Sequence, residues 1–72
     1  MKLEWERLSN NCRRASMGKG QFAQLVWPYP LERRHVLVEI RETVSGNLLR
    51  YGGIWPTIRE AQEEACYLLE AY

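Results

Sequence analysis

Few residues in this 72-residue chain are equipped for chemistry. His35 is the single histidine, aspartate is absent, and the only thiols are Cys12 and Cys66. A Ser-His-Asp arrangement is therefore impossible. A Cys-His pair would have to bring His35 to a distant thiol without the local signature such enzymes carry. Positions 12, 35 and 66 also lack the clustered spacing of structural zinc ligands, so neither a metal nor a cofactor is expected. Glu60, Glu63 and Glu64 gather carboxylates that could do acid-base work. Glutamates at the start of a helix are, however, selected by capping and by the helix dipole. Gly18-Lys19-Gly20 lacks the GxxxxGK[ST] frame of a phosphate loop, and no helix start follows it. The expectation is a chain that is not an enzyme.

Groups suited to binding are better represented. Trp27, Tyr29, Arg33 and Arg34 lie in or beside the segment WPYPLERR, which Pro28 and Pro30 hold extended. Trp, Tyr and Arg are the residue types that most often dominate protein interfaces, so these four are the candidate partner-binding residues. The competing role for Trp27 is a place in the core. A second candidate is the basic group Arg13, Arg14 and Lys19 on an early hairpin, joined by Arg41 and Arg50, which could grip nucleic-acid phosphates. Charge on an edge hairpin also discourages edge-to-edge aggregation, which is the plainer reading of the same residues.

The elements that must position these groups follow from periodicity. Thr57 and Glu60 make a capping box, and Ile58, Ala61, Ala65, Leu68 and Tyr72 recur at spacings of three and four, so a C-terminal helix with one apolar stripe is predicted. Leu3 and Trp5 alternate with glutamates and suggest a first strand. A short helix is the rival, because Trp5, Leu8, Cys12 and Ala15 are also helically spaced. Ser9, Asn10 and Asn11 would interrupt it. Cys12–Met17 and Gln21–Trp27 flank the Gly18-Lys19-Gly20 turn as a hairpin. Val36 to Val44 is the clearest strand, and Leu49 to Trp55 returns after Gly46-Asn47. A two-residue turn there pairs Val44 with Leu49, Ile40 with Gly53 and Val38 with Trp55, leaving Gly53 as the point of close helix approach. The predicted fold is α+β: an antiparallel sheet of four to five strands with one C-terminal helix packed on one face.

Length allows one domain over residues 1–72 and one small core. Composition is ordinary for a globular chain, with 46% hydrophobic and 26% charged residues. Net charge is +1 but uneven. Residues 1 to 20 carry five cations against Glu4 and Glu6, or +3, whereas residues 51 to 72 carry Arg59 against four glutamates, or −3. That near-neutral total argues against imitation of nucleic acid by massed carboxylates. No secretory leader or membrane-spanning run is read, so two reduced thiols in a cytoplasmic protein are expected, with no membrane contact and a homodimer as one way to shield an open sheet.

Two resemblances add to this. The hairpin from Val36 to Trp55, followed by Thr57, Glu60, Ala61, Gln62 and Ala65, resembles the last half of a double-stranded RNA-binding domain, where a final strand leads into a helix with an EAxxxA stretch. That family sets a pair of lysines at the helix start, where Ile58 and Arg59 stand here. Across its whole length, the strand-rich chain ending in WPTIREAQEEA resembles small proteins encoded by phages and prophages, anti-CRISPR proteins among them. What this second resemblance implies is a non-catalytic inhibitor that binds stoichiometrically and occludes a surface of a host defence or regulatory complex. The first implies a small nucleic-acid binder.

Overall fold

The computed structural model describes residues 3–28 and 35–70, with the backbone alone for residues 69 and 70. Five strands follow one another as a meander, β1 (Glu6–Ser9), β2 (Cys12–Gly18), β3 (Gln21–Val26), β4 (Val36–Glu42) and β5 (Leu48–Trp55), before α1 (Ile58–Glu70). They form one antiparallel sheet in the order β1-β2-β3-β4-β5, and α1 packs across β3, β4 and β5. The α+β architecture expected from the sequence is the one observed.

Alternation decides which face is covered. Ala15 and Met17 of β2, Ala23 and Leu25 of β3, and Val36, Val38 and Ile40 of β4 are all buried, together with Trp27. Cross-strand partners share a face, and the ladder sets Ala15 against Ala23, Ala23 against Ile40 and Leu25 against Val38. One continuous apolar surface results. Onto it α1 lowers Ala61 and Ala65, both fully buried, with Ile58, Cys66 and Leu68 at the margins. Small alanines let the helix axis come close to the sheet. Tyr72, the last member of the expected stripe, lies outside the described residues. The helix begins as anticipated: the Glu60 amide donates to Thr57 Oγ1 at 3.1 Å, and the Thr57 hydroxyl donates to Glu60 Oε2 at 3.0 Å.

Turn chemistry explains the remaining geometry. The β2–β3 hairpin closes through Lys19 (φ 53°) and Gly20 (φ 75°), both left-handed, as the twist-compatible two-residue turn requires. The β4–β5 connection differs from the expected two-residue turn. Glu42 accepts from the Gly46 amide at 2.8 Å, the Ser45 hydroxyl donates to Glu42 Oε1 at 2.6 Å, and Gly46 takes φ 74°. A local turn built on those bonds occupies Thr43 to Asn47. The register moves accordingly: Val38 stands opposite Gly53, Val36 opposite Trp55 and Ile40 opposite Arg50, with bulges in between. Val44, expected on the apolar face, sits in the turn at 94% exposure. The first strand also starts later than expected. Leu3 and Trp5 precede β1 and serve the core, Leu3 buried and Trp5 packed against it.

Candidate functional site

With α1 on one side, the opposite side of the sheet has no covering element among the described residues. It carries the alternate residue of each strand, and the ladder arranges these into rows across the sheet. Glu6, Arg14, Gln24, Glu39 and Tyr51 form the central row. Ser16, Phe22, Arg41 and Leu48 form the row on the side of the Lys19 turn, and Cys12, Val26, Leu37 and Ile54 the row on the other.

The middle of this face is a connected polar array. Arg14 Nη2 donates to Gln24 Oε1 at 3.3 Å, and Gln24 Nε2 donates to Glu39 Oε1 at 3.2 Å. Arg41 grips the same carboxylate, Nη2 to Oε2 at 2.7 Å and Nε to Oε1 at 3.4 Å, while its Nη1 donates to the Gly46 carbonyl at 2.8 Å. Glu39 is only 8% exposed although it belongs to an uncovered face, because Gln24 and Arg41 close over it. The Arg14 guanidinium lies over the Phe22 ring, 4.4 Å from its centroid, in cation–π geometry. Around this fixed centre, Leu48, Tyr51 and Ile54 are 48%, 55% and 58% exposed. Cys12 is half-buried at the other end, and burial pushes its thiol pKa up, with Glu39 adding to the rise and Arg14 opposing it.

Beside this face, a cleft of about 510 Å³ opens where residues before β1 meet the sheet, lined by Leu3, Glu4, Glu6, Arg14, Phe22 and their neighbours. A second, shallower cleft of about 290 Å³ lies between β5 and α1, lined by Trp55, Glu60, Glu63, Glu64 and Tyr67. Neither contains His35 or a thiol. Cys12 is on the open face and Cys66 on α1, so the sheet separates them; both are free. Among the described residues no three His, Cys, Asp or Glu side chains converge as a metal site would require.

The residues singled out from the sequence are dispersed. Trp27 is 1% exposed and part of the core, so the core role is the one it takes. Its Nε1 is buried without a hydrogen-bond partner among the described residues. Tyr29, Arg33 and Arg34 lie outside the described residues. The five cations do not share a surface. Arg14 and Arg41 are on the open face, and Arg41 is committed to Glu39. Arg13 stands opposite Leu25 on the covered side, with a buried Nε that has no hydrogen-bond partner among the described residues. Arg50 stands opposite Ile40, and Lys19 occupies the hairpin tip. What sequence reasoning missed is the Arg14–Gln24–Glu39–Arg41 array. The signal was present in part: Gln24 lies between Ala23 and Leu25 and Glu39 between Val38 and Ile40, while Arg14 and Arg41 each adjoin one apolar residue.

No helix among the described residues is long and apolar enough to cross a membrane. No protein-family model, no curated protein and no solved structure gives a significant match to this chain.

Proposed function

We propose that this chain is a non-catalytic protein-binding module that uses the uncovered face of its sheet to occlude a partner, in the manner of a phage-type stoichiometric inhibitor acting in the cytoplasm. The observation that carries the reading is the pre-fixed polar centre, Arg14–Gln24–Glu39–Arg41, framed by exposed Leu48, Tyr51 and Ile54. Interfaces of ordinary size combine such a rigid, hydrogen-bonded middle with aromatic and arginine anchors. Side chains already held by one another lose little rotamer freedom when a partner arrives. Tyr29, Arg33 and Arg34 remain partner contacts expected from their residue types.

The test is affinity capture from a host lysate with the wild-type chain and with two double variants, Arg14→Glu with Phe22→Ala and Tyr29→Ala with Arg33→Ala. A partner retained at one-to-one stoichiometry by the wild type and released by the first pair is the expected result. Undiminished capture by the first pair removes the sheet face from the interface. Undiminished capture by the second removes Tyr29 and Arg33.

Single-stranded nucleic acid is the second reading, favoured by one observation: exposed Tyr51, on which a base could stack, shares the open face with Arg14 and Phe22. Gel shifts at low salt decide it, since binding of this kind is strongest there. Absence of retardation for single strands and duplexes alike excludes it.

A further inference from the structure

The two edges of the sheet are built differently. β1, at one end, has only four residues, all exposed, and includes Glu6 and Arg7. Short and charged edge strands are how proteins prevent strand-to-strand association. β5, at the other end, is eight residues long, reads LLRYGGIW, and contains no proline and no lysine. Among the described residues nothing pairs with its outer side. Its exposed side chains are Leu48, Leu49, Tyr51 and Ile54, and the extra residue of its bulge against Val38 and Glu39 puts Tyr51 and Ile54 on one face.

We propose that β5 is the contact between two copies of this chain, which pair antiparallel about a two-fold axis at Gly52 and Gly53 to make one ten-stranded sheet. An isologous contact requires a self-complementary strand, and this register supplies it. Gly52 of one copy meets Gly53 of the other, so neither residue at the axis adds a side chain; the Trp55 indole, whose Nε1 donates to the Gly52 carbonyl at 2.7 Å, flanks it on each copy. Tyr51 then faces Ile54 of the second copy on the open side, and the reciprocal pair forms by symmetry. Aromatic–β-branched pairs of this kind are favourable cross-strand neighbours.

The same register places Arg50 opposite Trp55 of the second copy, on the helix-bearing side. There Trp55, Glu60, Glu63, Glu64 and Tyr67 line the 290 Å³ cleft, so a cation on each copy arrives at an acidic, aromatic-walled recess on the other. The face bearing α1 is thus complementary in charge across the axis, and the face opposite it is complementary in apolar surface. Hydrogen bonding by strand addition supplies the remaining attraction. The dimer goes beyond the binding function proposed above and doubles the area of the uncovered face.

Sedimentation equilibrium of the full chain over a wide concentration range tests this, with circular dichroism as the control for folding. The expected species has twice the 8.5 kDa chain mass. Ile54→Lys, an exposed position, weakens the dimer about tenfold or more by placing a charge in the apolar pair. Arg50→Glu and Glu64→Lys each weaken it, and the double variant recovers most of the loss. A folded wild-type monomer at every concentration overturns the proposal. So does a dimer indifferent to Ile54→Lys, failure of the double variant to recover, or a dimer broken by Phe22→Ala but not by Ile54→Lys, which would place the contact on the open face.

Discussion

Gly52 lies directly against Val38: a Cβ built on Gly52 would stand 2.6 Å from Val38 Cγ1 and 3.0 Å from Leu68 Cδ1. The glycine is where strand, neighbouring strand and helix meet with no side chain between them. Gly52→Ala must therefore push Val38 or α1 outward, and overpacking of this kind costs about 1–3 kcal/mol. Gly53, next along the chain, would bring a Cβ into ordinary contact, 3.6 Å from Trp55 Nε1, but has a left-handed backbone at φ 87°. Gly53→Ala is expected to cost about 1 kcal/mol from backbone strain alone. Denaturant midpoints of the two variants check the order, and a Gly52→Ala protein as stable as wild type contradicts the close approach.

The Glu39–Arg41 pair predicts an asymmetry. The Glu39 side chain is 11% exposed and that of Arg41 30%. Removing the arginine strands a largely buried carboxylate, whereas removing the glutamate leaves a cation that reaches water. Arg41→Met is expected to cost about 2–3 kcal/mol and Glu39→Gln about 1 kcal/mol, because the amide still accepts from Arg41. Urea unfolding of both variants at neutral pH measures the difference. Equal losses would mean that the pair is solvated in solution.

Much of the architecture was legible because it rests on strong periodicities. Thr57, Glu60, Ala61 and Ala65 announce the helix and its buried side, and the alternation in β3 and β4 announces the covered face. The β4–β5 register was not legible, since it depends on a Ser45–Glu42 hydrogen bond and on left-handed Gly46, and side-chain bonds inside a turn leave no periodic trace. That shift moved the close-approach glycine from Gly53 to Gly52 and took Val44 off the sheet. The polar array on the open face was hidden for a related reason: Arg14, Gln24, Glu39 and Arg41 come from three strands and become neighbours only once the register is fixed. Trp27 shows the limit of composition as a guide, for its place among prolines suggested an interface while alternation with Ala23 and Leu25 sent it inward.

Trp27 yields a prediction of its own. Its ring is buried, and its Nε1 has no hydrogen-bond partner among the described residues. Trp27→Phe removes an unsatisfied donor together with part of the packing, two effects of opposite sign, so a loss below about 1.5 kcal/mol is expected. Trp27→Ala removes the ring and leaves a cavity, at about 3–5 kcal/mol, enough to unfold a domain this small. Thermal melts of the two variants distinguish a core tryptophan from a surface anchor. If Trp27→Ala melts like wild type, the residue is not in the core.

Cys12 links the open face to pH. Its thiol pKa is raised above the ordinary value by burial, which outweighs the lowering effect of Arg14, with a smaller rise from Glu39, so the fold favours the neutral form. A group whose folded pKa lies above its unfolded one contributes stability in full below the unfolded value, and that contribution is lost as pH rises through the folded value. Wild-type stability is therefore expected to fall more steeply than that of Cys12→Ala as pH passes the ordinary thiol range, with the difference absent at pH 7. Alkylation reports the same shift independently: the Cys12 thiolate is expected to form at higher pH than that of a free thiol such as glutathione. Arg14→Gln removes the one cation that opposes the shift and should move both readouts further upward. A movement downward would mean that Arg14 does not sit over this face in solution, and the polar array would lose its outer member.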